Sequence, residues 1–305
     1  MGNYIVKRIF YAILTLMVVT TITFFLMYLV PGGPFLSEKA VSPATLAALK
    51  EKYGLDQPVP IQFKNYVVHL VQGDLGVSLK QRGRTVDQII GTKFPVSAKI
   101  GGISVALALA VGIPLGSLAA LHRGKWTDKV ISVVSTVGIA IPSFVIATLL
   151  VMLLAIRLKL LPTFGLTTPA TYIMPVLSLA LYPTAYISRL MRSSMLDVLG
   201  QDYMRTARAK GLSPFVTLFK HALRNAILPV VTYLGPMLAY TLTGSFIIER
   251  IFVIPGLGNE FIKSITDRDY PLIMGTTIFL AFLLVSLNVI VDIFYKLIDP
   301  RIKYE

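Results

Sequence analysis

No cysteine occurs among the 305 residues. Disulfides, thiolate metal sites and cysteine nucleophiles are therefore excluded. Histidine is nearly absent: His69, His122 and His221 each fall in a loop or at the end of an apolar run. An intramembrane hydrolase needs a base within reach of its nucleophile. Ser245, which follows Gly244 in the fifth apolar run, has no such base nearby in the sequence. The chain contains no H-E-x-x-H, no other metal-ligand cluster and no G-x-x-x-x-G-K-[ST] phosphate loop. The expectation is a chain with no catalytic residue, no metal and no cofactor of its own. Charge is also scarce, at 14% of residues, against about 25% in soluble domains. Carboxylates inside apolar runs, the usual mark of ion coupling, are nearly missing. The clearest is Asp292, one turn after Asn288, and a pairing role explains it more simply than proton or sodium coupling. No internal repeat or low-complexity tract is visible, which argues against transporter folds built from two symmetric halves.

Apolar residues fill that space. They make up 55% of the chain, and the mean hydropathy is +0.73. So much apolar surface calls for an apolar solvent, the membrane. Runs at 9–30, 100–121, 130–156, 172–190, 226–248 and 272–298 each reach the ~20 residues that cross a bilayer as a helix. Barrel-like alternation is absent, and helices satisfy their own backbone in lipid. The fold class expected is an all-α polytopic membrane protein with six transmembrane helices. The first run follows Lys7 and Arg8 and lacks a small-residue cleavage site, so it is expected to be a retained helix rather than a signal peptide. The net charge of +14 sits mostly at run ends. It fits the excess of Lys and Arg on cytoplasmic loops better than it fits nucleic acid. Both termini are then expected in the cytoplasm.

The long outer segment between the first two runs carries helix signals. Ser42-Pro43 suits an N-cap followed by proline at the first helical position, and Gly54 suits a helix end. A second short helix is expected at 61–71, before Gly73-Asp74. By residues alone this segment is either a docking cap over a pathway or a solvated connector. Pro114, Pro142, Pro175, Pro183, Pro229 and Pro236 punctuate the runs. Each removes a helix hydrogen bond and can kink its helix, for hinge motion or simply for packing.

The segment between the fourth and fifth runs is the most informative. It reads as helix, glycine, turn, helix. Asp202 suits a first turn, Gly211 a left-handed C′ position, and Ser213-Pro214 an N-cap with proline at the first helical position. In the second helix Phe215, Leu218, Phe219, Ala222 and Leu223 are expected on one face, and Thr217, Lys220, His221 and Arg224 on another. Such a helix either lies on headgroups, docks into a partner's cleft, or merely connects.

This loop resembles the EAA coupling loop of ATP-binding-cassette importer permeases, which has Glu-Ala-Ala, three residues, then Gly. Arg205, Thr206, Ala207 and Gly211 occupy those positions, and His221 stands at a usually hydrophobic one. Arg205 replaces the Glu, Thr206 one Ala, and Arg224 the general motif's Pro. The longer string R-T-A-x-A-K-G-L (205–212) with H-A-L-R-N-A-x-L-P (221–229) is similar to the oligopeptide/dipeptide permease variant. Pro31-Gly32-Gly33-Pro34-Phe35, Gly73-Asp74-Leu75-Gly76 with Ser78, Pro255-Gly256-Leu257-Gly258, Arg268-Asp269-Tyr270-Pro271 and Asp299-Pro300-Arg301-Ile302 resemble the B-type subunits of that family along the whole chain. The resemblance implies a type I importer transmembrane domain in the bacterial inner membrane. It implies a first helix and N-terminal end (1–30), an outer loop region (31–96), a core permease domain (97–298, coupling loop 200–225) and a short tail (299–305). It further implies a second homologous permease subunit, two cytoplasmic ATPase subunits that use ATP and Mg, and an extracytoplasmic peptide-binding protein. In this picture Arg205, Thr206, Ala207, Gly211, Leu212, Ser213, Pro214, Phe215 and His221 couple to the ATPase, with Leu212 and Phe215 as apolar anchors and Arg205 pairing with an ATPase carboxylate. The residues that contact substrate are not identified by the resemblance. A stand-alone secondary transporter, or an importer of dipeptides or a metal chelate, is the alternative.

Overall fold

The computed structural model describes residues 2–29, 33–35, 43–242 and 246–298. Among these, five helical segments are long and apolar enough to cross a membrane: Val6–Leu29, Val86–Leu121, Ala170–Leu199, Leu228–Ile251 and Tyr270–Val291. The third expected span, 130–156, is not straight. It consists of Trp126–Ala140 and Ser143–Arg157, bent by 100°, and counts as a sixth span if the pair crosses together. The cause is local. Proline disfavours helical geometry at the residue before it, and Ile141 is accordingly extended (φ −88, ψ 123) ahead of Pro142. Of the expected features, Pro31-Gly32, Ser42, Gly244-Ser245 and the tail 299–305 lie outside the described residues.

In chain order the helices are α1 (Gly2–Leu29), α2 (Pro43–Lys52), α3 (Val59–Val71), α4 (Val86–Leu121), α5 (Trp126–Ala140) and α6 (Ser143–Leu150), the last continued by a π-helical stretch Val151–Arg157. There follow α7 (Ala170–Leu199), α8 (Asp202–Ala209), α9 (Pro214–Val216), a second π-helical stretch Thr217–Leu223, and α10 (Arg224–Ala226). The last four are α11 (Leu228–Leu242), α12 (Phe246–Ile251), α13 (Leu257–Asp267) and α14 (Tyr270–Ile298). The chain divides into two compact units. One is Met1–Val96 with Pro255–Val285, the other Ser97–Ile254 with Ser286–Glu305.

In the first unit α2 and α3 are the expected short outer helices, with α3 starting two residues earlier than the sequence suggests. Phe24 of α1 packs its ring 5.1 Å from Phe63 of α3. Phe24 and Met27 share a buried cluster with Met274 and Ile278 of α14. A second cluster joins Val86, Ile89 and Ile90 to Leu257 of α13 and Leu272 of α14. Between these helices lies a cavity of about 540 Å³, lined among others by Phe24, Tyr28, Tyr66, Tyr270 and Met274. Burial raises the pKa of the Tyr66 phenol, and its hydroxyl has no partner among the described residues.

The turn 73–85 is bound at several points within this unit. The Asp269 carboxylate accepts from the Ser78 hydroxyl, from the Leu79 N–H at 3.0 Å and from the Leu272 N–H at 3.4 Å. It thereby caps α14, with Pro271 in the first turn, the arrangement that a helix start favours. Gln81 donates to the Glu260 carboxylate, whose other oxygen lies 3.7 Å from Lys93 Nζ. Two motifs far apart in the chain, G-D-L-G with Ser78 and R-D-Y-P, are thus two halves of one clamp.

In the second unit α7 is the central element. Its buried Ile187, Met191 and Met195 share a cluster with Val105 and Ala108 of α4, with Met204 of α8 and with Met237 of α11. Small residues bring the backbones together, as membrane helix pairs require. A Cβ at Gly138 of α5 would stand 3.0 Å from Ala185 Cβ. Beyond apolar contact, Arg192 of α7 holds Asp128 of α5 in a bidentate pair, Nε–Oδ1 2.6 Å and Nη2–Oδ2 2.8 Å. Asp128 is 4% exposed and also accepts from the Gly124 N–H at 2.9 Å. Asp128→Ala leaves a guanidinium and a peptide N–H unpaired. The outward side of Arg192 keeps some water, so the expected loss is about 2 kcal/mol. It should appear as a lower midpoint of thermal unfolding in detergent, with Asp128→Asn in between.

Candidate coupling surface

The loop that follows α7 folds as its residues dictate. Asp202 opens α8, and the Thr206 hydroxyl bonds back to its carbonyl at 3.1 Å. Gly211 takes φ +75, a left-handed conformation that costs a glycine nothing. The Lys210 N–H bonds Thr206 O at 3.0 Å and the Leu212 N–H reaches Ala207 O at 3.4 Å, the latter being the six-to-one bond of a Schellman end. Ser213 Oγ then accepts from the Val216 N–H at 3.3 Å, capping the helix that begins at Pro214. The two helices are tied to each other by Asn225 Nδ2, which donates to the Tyr203 hydroxyl at 3.0 Å.

The faces of the second helix differ from the simple α-helical expectation. Leu218, Ala222 and Leu223 pack inward, against Met204 and the end of α7. Thr217, expected on the polar face, is 6% exposed, whereas Phe215 and Phe219 are 68% and 50% exposed. The π-helical stretch explains this, because i→i+5 bonding winds the chain more loosely than 3.6 residues per turn and rotates side chains out of the α register. The two phenylalanines stand together, ring centroids 4.5 Å apart, as an apolar ridge on the surface of the chain.

Around that ridge the expected coupling residues are arranged unequally. Leu212 is exposed at 38%. Arg205 is exposed and lies 3.6 Å from Asp202 one turn before it, a surface pair of small worth that a partner carboxylate can replace. Thr206, Gly211 and Ser213 are exposed, and His221 is part-buried. Ala207 turns inward at 6% exposure, so it serves the packing of α8 rather than a surface. Pro214 stands at the first helical position. Phe219 is the one residue of the ridge that the loop motif does not mark. Its signal in the sequence was the four-residue spacing from Phe215.

Comparison with known proteins places this geometry. Residues 112–304 match the family described as "Binding-protein-dependent transport system inner membrane component". Residues 1–101 match its companion, "Binding-prot-dependent transport system membrane comp, N-term". The chain belongs to this family of inner membrane transport components.

Relatives of this inner membrane component match it end to end. It is 45% identical over 303 residues to the dipeptide transport system permease protein DppB of Bacillus subtilis, covering 99% of this chain and 98% of that one. It is 43% identical over 306 residues to the oligopeptide transport system permease protein OppB of Haemophilus influenzae, and 40% identical over 307 residues to OppB of Escherichia coli K12, both over 100% of each chain. The resemblance carried by the coupling-loop string is therefore borne out. Its fold is the expected type I importer transmembrane domain. An inward-facing structure of the MetNI methionine ABC transporter superposes with a TM-score of 0.55 at 16% identity, covering 69% of this chain and 96% of that one.

Proposed function

We propose that the chain is one of two homologous permease subunits of an ATP-driven importer that carries oligopeptides across the bacterial inner membrane. The observation that carries this is the full-length similarity to permeases named for dipeptide and oligopeptide transport. Both termini lie in the cytoplasm, in keeping with the bias of Lys and Arg. The segment 200–226 then faces the cytoplasm, where two separate ATPase subunits hydrolyse ATP with Mg. An extracytoplasmic binding protein delivers the peptide from the other side, where the α2–α3 region forms a cap.

In this reading the ridge of Phe215 and Phe219, with Leu212 beside Gly211, is the part of the loop that enters the ATPase. Exposed aromatic residues on a braced helix have the character of interface anchors. Tight bracing by the Schellman end and the Ser213 cap lets the loop pass on a rigid-body movement. Exposed Arg205, Lys210 and Lys220 call for an acidic rim on the receiving groove.

The cysteine-free chain permits a direct test. Leu212→Cys or Phe215→Cys should crosslink to cysteines placed in an ATPase groove. A folded complex without a crosslink at any groove position removes the docking assignment. The double variant Phe215→Ala/Phe219→Ala should weaken ATPase recruitment about 30-fold, read as the ATPase content of a mild-detergent purification. Peptide-stimulated ATP hydrolysis by the reconstituted complex tests the transport reading itself. If the chain purifies only with itself, a secondary transporter takes its place.

A further inference from the structure

Tyrosine collects at membrane–water interfaces, where its ring meets lipid and its hydroxyl meets water. Four tyrosines of this chain stand elsewhere. Tyr182 and Tyr186 lie near the middle of the 30-residue α7. Tyr240 lies near the middle of the 24-residue span Leu228–Ile251, on α11, with Tyr233 two turns before it on the same face. The rings of Tyr182, Tyr186 and Tyr233 form a connected track. Tyr182 stacks on Tyr186 with centroids 6.3 Å apart, and Tyr186 meets Tyr233 at 4.3 Å. Tyr182 is 39% exposed and Tyr240 66%.

The hydroxyls of Tyr182, Tyr186 and Tyr233 bond to nothing among the described residues, and none is sealed inside the unit. Facing hydrocarbon, each unpaired hydroxyl would be costly. The surrounding surface continues the theme. Thr232, Pro236 and Tyr240 form an exposed stripe at four-residue spacing on α11. Pro236 has no N–H to give, so the carbonyl of Thr232 loses its usual helical donor. No Asp, Glu, Lys or Arg occurs between 170 and 188 of α7 or anywhere in α11. The result is a neutral mid-membrane wall of aromatic faces, hydroxyls and a freed carbonyl.

A lasting contact with another membrane helix prefers small residues that let backbones approach. Here the glycines are used inside the unit, and the exposed face is bulky. A peptide in transit suits this wall better. Its main chain repeats one donor and one acceptor per residue whatever its side chains, and aromatic faces take apolar and cationic side chains alike. We propose that Tyr182, Tyr186, Tyr233 and Tyr240 form this subunit's share of the pathway wall and bind the peptide main chain. The inference rests on the peptide-importer reading above.

The test uses the assembled importer in proteoliposomes. With Tyr240→p-benzoylphenylalanine or Tyr182→p-benzoylphenylalanine, illumination should join a labelled pentapeptide to this subunit, and excess unlabelled peptide should prevent it. Crosslinks only to the second permease or to lipid overturn the proposal. The double variant Tyr182→Phe/Tyr240→Phe keeps both rings. It should lower uptake about tenfold at low peptide concentration, while the subunits still co-purify in unchanged ratio. Uptake equal to the unaltered importer's overturns the inference alone. If the unaltered importer takes up no peptide, the peptide-importer reading falls and the inference falls with it.

Discussion

Gly116→Val is expected to separate α4 from α7 and to cost about 3 kcal/mol or more of stability. A side chain at residue 116 has nowhere to go. Its Cβ would fall onto the carbonyl oxygen of Ser188, 2.7 Å from Met191 Cβ and 3.1 Å from the Arg192 nitrogen. Two of these are backbone atoms of a packed helix, which cannot swing aside as the end of a flexible side chain can. Gly112, one turn earlier, is similarly confined, with the Thr184 carbonyl and Ile187 2.9 Å from its Cβ position. The two glycines therefore form a G-x-x-x-G contact within one chain. The consequence reaches the candidate coupling surface, because Met191 and Met195 of α7 share the cluster that holds Met204 and Ala222 of the loop. Gly116→Val should lower the thermal midpoint of the detergent-solubilised importer by several degrees and, on the proposed docking, reduce the ATPase recovered with it. Gly102→Ala is the matched control. It adds a methyl group to the same helix with nothing within 4 Å of it, so stability should hold or rise by up to about 1 kcal/mol. Equal effects from the two substitutions would contradict the close-approach explanation.

How much of this was legible beforehand depends on the range of the interactions. Local signals were readable. Apolar length marked the spans, Pro43 and Gly54 bracketed α2, and Gly211 with Ser213 set the two helix ends inside the loop after α7, because caps and left-handed glycines act over a few residues. The bend at Ile141–Pro142 was half legible. Proline announced a kink, but its 100° size depends on Ile141 leaving helical geometry altogether. The inward turn of Thr217 was hidden, since a helical wheel assumes α spacing and π bonding breaks it. Pairings across long separations were invisible: Asp128 with Arg192, Gly116 with Ser188, and Ser97 with the buried Glu249 at 2.6 Å. In the sequence these look like isolated polar or small residues near run ends. The mid-span tyrosines were visible as letters. Only helix packing shows that Tyr186 and Tyr233 meet and that their hydroxyls lack partners among the described residues.

Asp269→Ala should loosen the turn 73–85 without unfolding the spans. The carboxylate is 1% exposed and receives the Ser78 hydroxyl and the N–H groups of Leu79, Lys80 and Leu272. Removing it leaves several donors unpaired at once and uncaps α14, an expected cost of about 3 kcal/mol. The cost falls on a short turn that keeps, among other bonds, the one from Gln81 to Glu260, the one from Arg84 to Thr92 at 3.1 Å and the pairing of Val77 with Thr85. Local opening is then cheaper than global unfolding. Trypsin reports this directly, since Lys80, Arg82 and Arg84 lie in the turn. Cleavage within 80–84 of the solubilised importer should become at least tenfold faster in Asp269→Ala, while cleavage elsewhere is unchanged. Asp269→Asn keeps one acceptor oxygen and should fall between the two. Gln81→Ala cuts the second anchor alone and should open the turn less. Combined with Asp269→Ala, it should add more than its separate effect, because each of these anchors limits the opening that loss of the other allows. A turn that resists trypsin in the double variant would mean that the G-D-L-G and R-D-Y-P motifs are not held together by this clamp.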